Sequence, residues 1–191
     1  MGVHDYYGHN IDGYRTNLEN VRFVVPKMLQ LFSERNIRAT WATVGAVALS
    51  TWDEYFTFSP SPPAYENNNL AIDPFYAEID PDGTLHFAPD LVNCVVNTPG
   101  QELGSHSFSH IFFRENGVTS EDFIADESVV RSVFNDLFKI NPISLVFPRN
   151  QIAFQSFLSD CGIHIWRGNE NAWYFESKKE EHNLNFARCF R

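Results

Sequence analysis

Three times along this chain, apolar residues at helical spacing are followed by a short run of β-branched and aromatic residues, and this alternation most narrows the folds open to it. In the first unit Leu18, Val21, Val24, Val25, Met28, Leu29 and Phe32 recur at intervals that share one helix face. Pro26 falls inside the run, so the spacing predicts one amphipathic helix over Leu18 to Phe32 that starts near Pro26 or kinks there. Ile37 to Val44, closed by Gly45, then reads as a buried strand. The second unit opens at Thr119, placed to cap a helix in Thr-Ser-Glu-Asp, and runs through Phe123, Val130, Phe134 and Leu137 to a strand over Ile143 to Phe147. The third joins a helix over Ile152 to Cys161, stopped by Gly162, to a strand over Ile163 to Trp166. Such repeats predict an α/β fold with a mostly parallel sheet.

Residues 57–89 break the pattern. Pro60, Pro62, Pro63, Pro74, Pro81 and Pro89 stand there with Asn67, Asn68 and Asn69, a density at which no regular element is expected. Tyr65, Phe75, Tyr76 and Phe87 suit a loop that packs down on a surface. A wall or lid beside a cleft and an ordered loop with no binding role are both open readings. The 191 residues suffice for one domain with a substantial core, and eighteen phenylalanines make that core aromatic-rich. A formal charge of −10 and the lack of a basic stripe argue against nucleic acid. No stretch has the apolar length of a membrane span, and Met-Gly-Val-His-Asp lacks the features of a secretory signal. Cys94, Cys161 and Cys189 form neither a metal framework nor a disulfide set. Cys94 and Cys161 fall in apolar helical patterns and are expected in the core, which suits a reducing cytoplasm.

Chemistry is expected at the strand exits, where parallel α/β sheets gather their ligand sites. Behind the strand that ends near Gly104 come His106 and His110, four residues apart. On a helical turn that spacing puts both rings on one face, within reach of one ion, and imidazole suits zinc and other first-row divalent metals. Phe147-Pro148-Arg149-Asn150 follows the next strand, and Trp166-Arg167-Gly168-Asn169-Glu170 the one after, so all three point to the same rim. Arg149 and Arg167 suit a carboxylate or an anionic intermediate, and equally a structural ion pair. Trp173 suits an apolar pocket wall or the core.

The segments Ile37-Arg38-Ala39-Thr40-Trp41-Ala42-Thr43-Val44-Gly45, Glu102-Leu103-Gly104-Ser105-His106-Ser107-Phe108-Ser109-His110 and Phe147-Pro148-Arg149-Asn150-Gln151 carry a more specific signal. In order and spacing they resemble polysaccharide deacetylases of the NodB-homology type, carbohydrate esterase family four. The resemblance implies a distorted (β/α) barrel and removal of acetyl groups from N-acetylhexosamines of a glycan by water activated at a divalent metal. It makes His106 and His110 the metal ligands and puts Arg149 among the catalytic groups, orienting a carboxylate. Pro148 and Asn150 then flank Arg149 in the substrate groove, with Arg167 and Trp173 as further substrate contacts.

The family's first acidic motif has no counterpart, and Gly2 to Gly8 resembles the loop behind it. The late leucine–histidine motif is also unmatched, because His182 lies in a polar run and reads as a solvated side chain. The likeness therefore covers the middle of the family domain, and the barrel is expected to be incomplete, with open sheet edges. Asp5 or Asp12 could replace the missing carboxylate, and His4 the missing ligand. The sequence-based expectation is a single domain over residues 1–191 acting on an acetylated glycan precursor of the cell surface, in the cytoplasm, with zinc as the metal. Two alternatives stand beside it: a carbohydrate-binding relative without the chemistry, and a structural domain whose histidines merely pack.

Overall fold

The computed structural model describes residues 12–67, 70 and 76–169. After a short 3₁₀ turn, Asp12–Tyr14, helix α1 spans Arg15–Glu34 and strand β1 spans Ala39–Thr43. Helices α2 (Trp52–Phe58), α3 (Tyr76–Ile79) and α4 (Pro89–Asn97) precede β2 (Gln101–Ser105). Helix α5 (Ser120–Phe138) leads to β3 (Ser144–Leu145), and β4 (Ile165–Trp166) follows. The strands lie in the order β1-β2-β3-β4 and every pairing is parallel. All strand exits therefore share one side, as the three-unit reading expects. Among the described residues the sheet is open, with β1 and β4 at its edges. No described helix is long and apolar enough to cross a membrane.

Each element follows from local chemistry, and several differ from the sequence reading. Helix α1 is continuous through Pro26, which forfeits one donor without ending it. Only Leu29 on α1 is buried, while Phe23, Val24 and Leu31 stay exposed. Arg22 fastens the helix to α4 through two bonds to Asp90, of 2.8 and 3.0 Å, and one to the Phe87 carbonyl at 2.8 Å. Strand β1 is shorter than expected and alternates half-buried with exposed residues, as an edge strand does. Helix α5 starts with the expected cap: Thr119 accepts from the Asp122 N–H, and the Asp122 carboxylate accepts from the Thr119 N–H in return.

Residues 57–89 are not devoid of regular structure. Helix α2 runs into them, α3 lies within them, and Pro89 opens α4 at a first-turn position where its missing donor costs nothing. The helix expected over Ile152 to Cys161 is absent, replaced by a 3₁₀ turn at Gln155–Phe157 and further turns up to Gly162. Phe154 has φ of 56°, and a left-handed residue there prevents helix nucleation across the segment. Gly162 still ends the segment with φ of 75°, the conformation expected of it. Cys161 is buried as predicted, but Cys94 is exposed, because α4 buries Leu91, Val92 and Val95 instead.

The core has two aromatic-rich parts joined by α5. Val130, Val133 and Phe134 pack with Trp52, Tyr55, Leu103 and Phe108. Phe123, about two turns earlier, packs with Phe113, Leu145, Phe147 and Ile163. Asp126 and Glu127 lie between these two apolar groups and are only 1% and 2% exposed.

Candidate metal-ligating site at the strand exits

The segment from Ser105 to Ile111 leaves β2 as an irregular loop, and the helical turn assumed for His106 and His110 is not formed. Ser107 and His110 instead take left-handed φ values of 59° and 57°. Non-glycine residues there cost about 1–3 kcal/mol each, so the loop must be held by its surroundings. Strand β1 holds it first: the His106 N–H donates to the Thr43 carbonyl at 3.0 Å, and the Gly45 and Ala46 N–H groups donate to the Ser107 and Phe108 carbonyls. Gly45 is required by space, since a Cβ there would lie 2.9 Å from the Phe108 ring. On the other side the Val146 N–H donates to the Ser105 carbonyl.

Helix α5 holds the loop from beneath. Asp126 accepts from the Phe108 N–H at 2.6 Å, the Ser109 N–H at 3.1 Å and the Ser109 hydroxyl at 2.7 Å. Ser105 donates to Glu127 at 2.8 Å and accepts from the Ser107 N–H, while the Ser107 hydroxyl accepts from the Ile111 N–H at 3.0 Å. The three serines that alternate with the histidines thus turn inward as fasteners. Burial pushes the Asp126 carboxyl up to about 6 and Glu127 up to about 8, the latter helped by the Asp126 charge. At neutral pH Asp126 is mainly the carboxylate that its donors require, and Glu127 is mainly the neutral acid.

These constraints bring the two imidazoles together. Their ring centres are 5.1 Å apart, with planes inclined at 66°. The His106 Nδ1 lies 2.6 Å from the Val146 carbonyl. A carbonyl only accepts, so Nδ1 carries the proton and Nε2 keeps its lone pair. Burial lowers the His106 pKa, and lowers His110 to about 4 with further help from His106 and Arg149. Both rings are therefore neutral at physiological pH, the state in which imidazole binds a metal. Two imidazoles that shared one zinc would have their ring centres about 5 Å apart. The observed separation fits, and the Val146 bond supplies the outer contact that usually orients a ligating histidine.

Arg149 belongs to the same rim. Its guanidinium lies 4.6 Å from the centre of the Phe112 ring, which stands nearly perpendicular to His110 at 5.6 Å between centres. Arg149 and Asn150 are both left-handed, with φ of 51° and 55°, so four of the strained non-glycine positions fall on two neighbouring rim loops. Both side chains are exposed, whereas Pro148 is buried and shapes the turn without offering a surface to a ligand. Arg167 is exposed behind β4, and Asn169 ties that exit to the previous one by donating to the Asn150 carbonyl at 2.9 Å. Trp173, His182, His4 and Asp5 lie outside the described residues. Asp12 is 82% exposed and paired with Arg15 at 3.4 Å. No group of three or more His, Cys, Asp or Glu side chains suited to an ion occurs among the described residues.

Part of the proline-rich stretch forms one wall of a cleft of about 350 Å³ that His110 also lines. Tyr55, Pro60, Pro62 and Tyr65 give it an apolar side, and Ser109 and Asp126 a polar one. The Tyr65 hydroxyl also supports the loop, its oxygen accepting from the Phe112 N–H at 3.1 Å. Sequence reasoning missed Asp126, Glu127 and the serine fasteners. Their signal was present: two acids on the apolar stripe of α5, between Phe123 and Val130, are misplaced unless something polar meets them. No family model and no curated protein matches the chain.

Proposed function

We propose that the chain is a metal-dependent deacetylase acting on N-acetylated sugars of a cell-surface glycan or its precursor. The observation that carries this reading is the convergence of two neutral imidazoles, His106 and His110, at the exit side of a parallel sheet whose next exit bears Arg149. His106 and His110 would hold a divalent metal, zinc by ligand type. When bound, that metal supplies a Lewis acid for an amide carbonyl and activates a water. The chain's own residues do the rest: Val146 fixes the His106 tautomer, Phe112 steers the Arg149 guanidinium, and Arg149 offers paired donors to a carboxylate or to charge developing on the substrate. The cleft beside His110 would admit the acylated sugar, its tyrosines and prolines facing apolar sugar faces. In this reading the four strands are part of a distorted barrel and the enzyme works in the cytoplasm.

Acetate release from N-acetylated hexosamine oligosaccharides tests the proposal. Release should depend on added zinc or cobalt and disappear in His106→Ala and His110→Ala. Stoichiometric metal binding without release from any acetylated glycan would refute it. The absence of a third ligand among the described residues favours a second reading, a sugar-binding relative without catalysis. Sugar affinity unchanged in His106→Ala, with no metal bound by the parent protein, would select it.

A further inference from the structure

We propose that Asp126 is a positioning residue, a carboxylate clamp that holds the loop between His106 and His110 in the shape that brings the two rings together. The inference deepens the metal-site reading above and rests on it. Its basis is where the hydrogen bonds of Asp126 go. The Phe108 N–H, the Ser109 N–H and the Ser109 hydroxyl all donate to it, and all belong to the three residues that separate the histidines. A buried carboxylate is kept only where donors compensate its lost hydration, and here one short loop supplies them. The loop in turn needs an outside hold, because Ser107 and His110 both have left-handed backbones.

The arrangement also explains how His110 can face His106 without a helical turn between them. Phe108 is driven into the core, fully buried and stacked on Tyr55 at 5.8 Å between centres. Asp126 fixes the Phe108 and Ser109 N–H groups, which lie between the two histidines in the chain. The hydrogen bonds of Asp126 go to Phe108 and Ser109 and to neither ring. Its action is mainly through the backbone, and the carboxylate comes from α5, the next helix along the chain.

The test uses the full chain, with cobalt(II) as probe and Asp126→Asn, Ser109→Ala and Val133→Ala as variants. Asn cannot accept from all three donors, Ser109→Ala removes one of them, and Val133→Ala weakens the apolar packing of the same helix without removing any hydrogen bond of the clamp. Titration followed by cobalt absorption should show about a 10-fold or greater loss of affinity in Asp126→Asn, a smaller loss in Ser109→Ala, and none in Val133→Ala. In metal-free protein, the NMR contact between the His106 and His110 rings should vanish in Asp126→Asn and persist in Val133→Ala. If Asp126→Asn does not fold, Ser109→Ala carries both readouts. A folded clamp variant that keeps the ring contact and the parent cobalt affinity overturns the proposal, as does equal loosening by Val133→Ala. A parent protein that binds no cobalt through its histidines, while the clamp variants still lose the ring contact, refutes the metal-site reading and leaves the positioning role standing.

Discussion

Replacing Glu127 by Gln should flatten the alkaline side of this protein's stability curve. Glu127 is buried among apolar residues of α5, its Oε2 accepts from Ser105, and its Oε1 meets no partner. Burial raises its pKa from 4.5 to about 8. A carboxyl raised in the folded state stabilises the fold most below the unfolded value, and that contribution is lost as pH rises through the folded value. Between pH 6 and pH 8 the unfolded chain is already ionised while the folded one resists, so stability should fall by about 2 kcal/mol from this group alone. Asp126, raised to about 6, has largely finished by the start of that window, and the lowered histidines act below about pH 6.5. Gln keeps an acceptor for Ser105 and removes the titration, but its amide donors lie unpaired, at about 1–3 kcal/mol independent of pH. The two stability curves should therefore converge or cross as pH rises. Urea denaturation at pH 6, 7 and 8 and constant ionic strength measures this, and parallel curves for the two proteins would refute the reasoning.

The opposite sign applies to His110, whose lowered pKa gives stability that is present above about pH 6.5 and lost as pH falls through about 4; cobalt affinity of His110 should accordingly hold down to about pH 5, and a midpoint near 6.5 would contradict its burial. Phe123→Ala should cost about 3–5 kcal/mol in urea unfolding, because the ring is fully buried against Phe113, Phe147 and Phe154. Gly104→Ala should cost about 1–3 kcal/mol, since the added carbon would stand 2.5 Å from the Ser144 hydroxyl and 2.9 Å from a Thr40 methyl; a melting temperature equal to the parent's would show that β1 and β3 yield there.

Much of the fold was legible from pattern alone. Apolar spacing located α1 and α5, the Thr119 cap marked the start of α5, and β-branched runs located β1 and the vicinity of β3 and β4. The signal failed where tertiary contacts outweighed it. Residues 152–161 carry helical spacing, yet Phe154 is left-handed and the side chains reach the core from turns. Cys94 shares an apolar run, but the face of α4 that meets the core is set by Leu91, Val92 and Val95. The prolines of residues 57–89 were legible as helix breakers, whereas the cleft wall some of them form was not.

The same division runs through the candidate site. Residue types and strand-exit positions placed His106, His110, Arg149 and Arg167 on one rim, because parallel strands joined by crossovers must expose their exits together. The sequence by itself therefore determined which side of the sheet carries the chemistry-bearing residues. Only the tertiary structure decided that the two imidazoles meet, since four residues of spacing bring rings together on a helix but not in a left-handed loop. That geometry depends on donors and acceptors contributed by β1, Val146 and the buried acids of α5, which are distant in sequence and adjacent only after the chain has packed.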